Sequence, residues 1–435
     1  MTRTPPIRID HVRGDATGLA IPAHADAFRE DGAAFLTQAF RAFGALGPDN
    51  AVARVVRIEP CPGGSTGSKL FLTVEYAQPG PALHTELFVK FSRDFTDVLR
   101  DHQRTEMESE ARFAALSRQP GFPIATATAY FADYEAETGT GLVVTERVRF
   151  GEGRIEPHHG KCFDHEIDDP LPYYKALLTA LARLCAAHKS GRLAPDIETR
   201  FPLRPEALGG DPIRYDAAKL AKVLDQAEAF AAEGPQLLPA TVREPAFQAR
   251  LRAEAFRVRT HEAEIQAWLR GDPDFIALCH WNAHIDNAWF WRDEAGQLHC
   301  GLIDWGRVGQ ITLGAALWGC LSAAHHAIWT EHLDTLLALF VREYRAGGGP
   351  DITAEALKQH LVLHVAAMGV ARVLAFPEVI KFRVPGVFSA EGPLDPMILA
   401  CDPARNCLHI YTVFLNLWRT GEVGARLDRL LASPR

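Results

Sequence analysis

The periodicity of this chain changes once, near residue 150, and that change restricts the fold more than any other feature. Before it, apolar residues come in short alternating runs; after it, they recur at helical spacing. Residues 53–60, 69–77 and 85–92 read as strands, split by the turn segments Pro62-Gly63-Gly64-Ser65-Thr66-Gly67-Ser68 and Gln78-Pro79-Gly80-Pro81. Two further strands are expected around Thr126–Phe131 and Thr140–Val148. An amphipathic helix is expected over 24–46, with Phe28, Phe35, Leu36, Phe40 and Phe43 at helical spacing, and another over 101–118. One helix among five strands implies a small, mostly antiparallel sheet with that helix against it.

After Phe150 a polar stretch, GEGRIEPHHGKCFDHEIDDP, leads into helices. Residues 171–189 form a strongly amphipathic one, 214–270 hold two or three more, and the pattern from Ala315 onward is helical, broken at Pro377, Pro385 and Pro393. The fold class is therefore α+β. A small β-rich unit (1–147) is expected to join a larger, mainly helical unit (148–435) through a hinge near 145–150. No internal repeat or low-complexity segment interrupts this plan.

At 435 residues the chain can bury a large core without disulfides or metals. Its 46 Lys+Arg against 54 Asp+Glu give a net charge of −8, which argues against a general nucleic-acid binder. The eight cysteines contain no C-x-x-C pair, and several sit in apolar runs, as expected of a reduced cytoplasmic protein. The N-terminus lacks the apolar segment of a signal peptide. The longest apolar candidate for a membrane span, Val362 to Phe376, carries His364 and Arg372, so no membrane partner is expected.

The most specific chemistry lies in His280-Trp281-Asn282-Ala283-His284-Ile285-Asp286-Asn287, followed by two apolar runs and then Ile303-Asp304-Trp305-Gly306. This reads as a loop and a β-hairpin, with an amide at the loop's end and a carboxylate just past the second strand. Mg²⁺ takes oxygen ligands and is commonly held by one or two protein groups plus substrate phosphates. A hairpin would bring Asn287 and Asp304, 17 residues apart, to one edge. A second cluster, His158, His159, Cys162 and His165, lacks the paired spacing of a zinc site and reads as a surface linker or a lip of a binding site. Trp289, Trp291 and Trp305 read as core around the hairpin.

The loop and hairpin resemble the catalytic loop and metal-binding strand of the protein-kinase-like small-molecule phosphotransferases, the family of aminoglycoside phosphotransferases and choline kinases. The family loop reads H-G-D-x-H-P-x-N, with I-D-W or I-D-F after the next strands. The resemblance makes His280 and His284 the loop histidines, Asn287 the metal amide and Asp304 the metal carboxylate, and it implies a bilobal kinase-like fold binding ATP or another nucleoside triphosphate with Mg²⁺. The segment Gly63, Gly64, Ser65, Thr66, Gly67 then resembles a glycine-rich loop over phosphates, where missing Cβ atoms let the backbone come close. Lys90 resembles the third-strand lysine that pairs with the phosphates, and Glu110 its helical partner, with Glu106 one turn earlier as the fallback. The strand to Glu146, and Val148 beyond it, resemble the segment entering the hinge that holds adenine; 180–188 resembles the helix behind the catalytic loop.

Two departures stand out. The second aspartate that often follows the metal aspartate is missing from Gly309–Leu317, and the catalytic aspartate is replaced by Asn282. An amide is no general base. The acceptor would then be already ionised, or served by His284 or, less favourably by reach, Asp286, or the protein has changed task. Three readings follow: an ATP- and Mg²⁺-dependent phosphotransferase on a small-molecule acceptor, with Asn282 orienting the acceptor; a non-catalytic nucleotide-binding scaffold; or a nucleotidyl (AMP) transferase. The walls of the acceptor site are expected from 191–275 and 377–400, and the aromatics of 410–418 are expected to serve as core or as a dimer face.

Overall fold

The computed structural model describes residues 7–64, 66–208 and 210–432. Two compact units emerge. The first runs through Ile155 and takes in Leu193–Phe201 and Gly301–Val308; the second comprises Glu156–Arg192, Pro202–Cys300 and the chain from Gly309 onward. Asp304, placed by sequence in the helical part, thus belongs to the first unit. The reason is a long-range pairing: Gly301 and Leu302 run parallel to Ala125 and Thr126.

In the first unit, β1 (His11–Arg13) and β2 (Ala20–Pro22) form a small hairpin ahead of α1 (Ala25–Ala42). Then come β3 (Val52–Pro60), β4 (Lys69–Tyr76) and β5 (Glu86–Phe91), α2 (Val98–His102) and α3 (Met107–Ser117), and β6 (Ala125–Thr126), β7 (Ala129–Glu135) and β8 (Thr140–Glu146). Five of these strands make one antiparallel sheet in the order β3-β4-β5-β8-β7. Alternation along the strands divides its faces. Leu70, Leu72, Val74, Leu87, Val89, Phe91, Phe131, Leu142 and Val144 pack with Phe28, Leu36 and Phe40 of α1, while Ala132, Tyr134 and Val143 pack with Met107, Ala111 and Ala114 of α3.

Three expectations are corrected here. The strand placed at 126–131 lies at Ala129–Glu135, because the buried Asp133 accepts hydrogen bonds from the backbone N–H groups of Ala16 and Thr17 and so fits a strand interior. The strand placed at 140–148 stops at Glu146. The helix placed over 101–118 is broken around Gln103: Asp97 caps α2, whose Asp101 accepts a bidentate pair from the buried Arg93, and a tight turn leads into α3.

The second unit is mainly helical. Its organising element is α4 (Leu171–Lys189), which packs on β9 (Ile276–Cys279) and on the helix Leu333–Ala346. Strands β10 (Ala288–Arg292) and β11 (Leu298–Leu302) lie side by side, their turn held by Asp293, which accepts from the N–H groups of Ala295 and Gln297; β12 (Gly309–Thr312) pairs antiparallel with β9. The helical pattern does break at Pro377: one helix ends at Ala371 and the next, Phe376–Arg383, carries Pro377 in its first turn, where a proline costs no hydrogen bond. Tyr411, Phe414, Leu417 and Trp418 are buried, so the aromatic run of 410–418 is core. Among the described residues, no single helix is long and apolar enough to cross a membrane.

Candidate active site

In the first unit the charged centre is Lys90. Strand alternation turns it away from the α1 core toward α3, and it is 4% exposed. Its Nζ donates to Glu110 Oε2 and to Asp304 Oδ1, both at 2.7 Å. Burial opposes the charge on Lys90, but Asp304 and Glu110 outweigh it and hold the lysine pKa above its ordinary value. Burial pushes the Glu110 carboxyl up against the pull of Lys90. It is Glu110 that Lys90 meets; Glu106, also pushed up by burial, lies beside Arg307, with 3.8 Å between Oε1 and the guanidinium.

Asp304 has φ 61°, a left-handed conformation that Asp tolerates better than most residues. Its segment is fixed to α3: the Trp305 ring stacks on Phe113 at 3.7 Å, its indole N–H donates to Leu302 O, and the Arg307 N–H donates to Glu106 O. The Asp304 side chain stays 50% exposed, which leaves carboxylate surface for a cation.

Gly63, Gly64 and Gly67 all have positive φ, at 90°, 76° and 52°. Gly67 also runs against β5, where a Cβ would collide with Phe91 O. Ser65 lies outside the described residues; Thr66 is half-buried in the same loop. Sequence reasoning missed Lys69, the first residue of β4, whose Nζ donates to Gly63 O at 3.1 Å. Its signal was available: a lysine just past the glycine loop.

The carboxylate of Glu146, expected at the nucleotide, is engaged inside the sheet. It accepts from the N–H and hydroxyl of Thr128 and pairs with His84 Nε2 at 3.0 Å. Val148, two residues on and half-buried, makes no backbone–backbone hydrogen bond among the described residues. The pairing with Glu146 raises the His84 pKa above 6.5; burial pushes Glu146 up, but the His84 and Thr128 hydrogen bonds overcome it and the net shift is downward. The raised histidine stabilises fully below pH 6.5 and loses its contribution as pH climbs through the folded value; the lowered glutamate loses its own as pH falls below about 4.5. The melting midpoint of the native protein should therefore exceed that of His84→Gln most between pH 5 and 6, and the gap should shrink by pH 8. Since His84 is 43% exposed, the effect is held below about 1 kcal/mol. A gap independent of pH would show that the pair contributes no charge interaction.

In the second unit, β9 delivers the loop 280–287 from a strand paired with β12 and backed by α4. The fully buried His280 accepts the Asn282 N–H at Nδ1, 3.1 Å, and Asn287 Nδ2 donates to Asn282 O at 2.8 Å. Asn287 therefore turns its nitrogen into the loop, and its oxygen is the group left for a ligand. Ala283 and Ile285 are fully buried anchors, and Gly319 allows the helix Leu313–Leu321 to approach so closely that a Cβ there would collide with Trp281 O. Asn282 itself is half-buried.

His284 does not suit the proton-accepting role that sequence allowed it. The ring is buried, Nε2 shares a 2.8 Å hydrogen bond with Ser322 Oγ, and Nδ1 is shielded from solvent. Burial first, and then the Lys161 charge, push its pKa well below 6.5, so it stays neutral. Its work is to fix the loop. The polar cluster after the hinge is dispersed: His158 Nε2 lies 2.9 Å from Asp286 O, His159 packs on Tyr173 and Phe290, and Cys162 is buried at φ 61°.

No family model matches the sequence, and no curated protein matches it. Solved structures are similar to it. A choline/ethanolamine kinase family protein from Mesorhizobium loti is 14% identical with a TM-score of 0.40, over 92% of this chain and 100% of that one. A choline kinase from Cryptosporidium parvum is 10% identical with a TM-score of 0.42, over 86% and 93%. A spectinomycin phosphotransferase, solved with ADP and spectinomycin, is 11% identical with a TM-score of 0.40, over 83% and 94%.

Proposed function

We propose that the chain is a nucleoside-triphosphate-dependent phosphotransferase acting on a small-molecule acceptor. The observation that supports this most is the buried ammonium of Lys90 held between Glu110 and the half-exposed Asp304. An isolated buried lysine needs one partner; a lysine tied to an exposed second carboxylate on a left-handed turn is built to meet something further. In this reading the glycine loop offers backbone N–H groups to the phosphates, Lys90 binds their oxygens, and Glu110 keeps Lys90 in place. The backbone at Val148 receives the base.

Asp304 of the first unit would offer a carboxylate and Asn287 of the second an amide oxygen, each a hard donor of the kind Mg²⁺ takes. When bound, the ion would neutralise part of the phosphate charge. Asn282 orients the acceptor and abstracts no proton, and with His284 buried its loop lends no imidazole base. A missing general base removes about 10²–10⁴-fold, which slows phosphoryl transfer without forbidding it, because positioning and electrostatics carry most of that reaction. Asn282 is also what favours the second reading, nucleotide binding without transfer. Segments 191–275 and 377–400 are assigned to acceptor recognition; the latter exposes Val379, Phe382, Leu394 and Met397. The setting we assign is cytoplasmic, with neither nucleic acid nor membrane as partner.

The test is a thermal melt of the full chain with Mg²⁺ and ATP against Mg²⁺ alone. A ligand at about 100 times its Kd adds roughly 2.7 kcal/mol, so the midpoint should rise by several degrees. No shift with ATP, GTP or ADP would overturn the nucleotide site.

A further inference from the structure

We propose that Lys69 is a second phosphate-binding lysine, seated under the glycine loop and facing Lys90 across the strand pair. This rests on the nucleotide-site reading above and adds to it a residue that the loop and strand motifs do not assign.

The register carries the proposal. In the antiparallel β4–β5 pair Lys69 stands directly opposite Lys90, so both side chains leave the sheet on the face turned away from α1. Directly opposed residues sit about 4.5–5.5 Å apart at Cβ, and like charges there are destabilising. Lys90 is neutralised by Glu110 and Asp304. Lys69 has no carboxylate within ion-pair distance among the described residues; its ammonium, a donor of three hydrogen bonds, meets the single carbonyl of Gly63. The molecule thus keeps a largely uncompensated second ammonium opposite the first, beside a loop whose Gly63, Gly64 and Gly67 all have positive φ.

The loop is shaped around that ammonium. Gly64 lies at φ 76°, and a Cβ on it would fall onto Lys69 Nζ, so the missing side chain is what gives the lysine head its place. Burial, and then the charge of Lys90, depress the Lys69 pKa, and Asp304 acts on it in the opposite sense. An anion lying between the two lysines would relieve that repulsion. A polyphosphate chain suits the place better than a single carboxylate, because it carries several charges along a length that two lysines can share, and lysine serves phosphate as a compact point charge.

The experiment is calorimetric titration of the full chain with MgATP, MgADP and adenosine, for the native protein, Lys69→Met and Lys69→Arg. A charge-assisted hydrogen bond contributes about 1.5–3 kcal/mol, so Lys69→Met should weaken MgATP and MgADP by about 10–100-fold. Adenosine, which has no phosphate, should bind it as it binds the native protein, and Lys69→Arg should recover most of the MgATP affinity. Unchanged MgATP binding by Lys69→Met would overturn the proposal. An equal loss for adenosine would overturn it too, since it would make Lys69 a prop of the loop. Failure of the native protein itself to bind MgATP is a different result: it would remove the nucleotide reading, and this proposal with it.

Discussion

Lys90→Met is expected to destabilise the first unit by about 3–5 kcal/mol, because it strands Glu110 as an unpaired buried carboxylate. The two side chains are 4% and 10% exposed, and Asp304, the other partner of Lys90, is half in solvent and can rehydrate when released. The loss should be largest near neutral pH and should shrink in acid, where Glu110, already pushed up by burial, takes a proton. Lys90→Met/Glu110→Gln should regain most of the stability, since removing both charges is often close to neutral. It should not regain nucleotide binding, because the double variant still lacks the ammonium that would meet the phosphates. Chemical denaturation of the native protein, both single variants and the double variant measures this as a coupling energy. Additive losses would mean that Lys90 and Glu110 do not act as a buried pair.

The parts of the site legible in the sequence are those written in short, rigid segments. Lys90 follows from an alternating strand, Asp304 from a run two residues past an apolar strand, and the helix 171–189 from its apolar spacing, which the structure reproduces as Leu171–Lys189. What sequence did not show depends on distant partners. His284 looks like a reachable base until Ser322, 38 residues later, takes its Nε2. Asp133 lies past the expected end of its strand, and the groups that fix it there, the N–H of Ala16 and of Thr17, are more than 100 residues away. Asp304 joins the first unit because of a pairing with Ala125 and Thr126 that no local pattern announces. Lys69 can be seen in the sequence just past the glycine loop, but its place opposite Lys90 emerges only with the β4–β5 register.

The most direct test of the central claim, that Asp304 beside Lys90 belongs to a metal–nucleotide site, compares the native protein with Asp304→Asn. Asparagine is the appropriate replacement: it tolerates the left-handed backbone that alanine would resist, and it removes the charge with little change of shape. Lys90 keeps Glu110, so the variant should fold and melt close to the native protein without ligand. The measurement is the midpoint shift on adding ATP in the presence of Mg²⁺, with an EDTA control. The proposed site predicts a shift of several degrees in the native protein, reduced by EDTA and largely lost in Asp304→Asn. An equal, EDTA-insensitive shift in both proteins would contradict the assignment of Asp304 to the metal site.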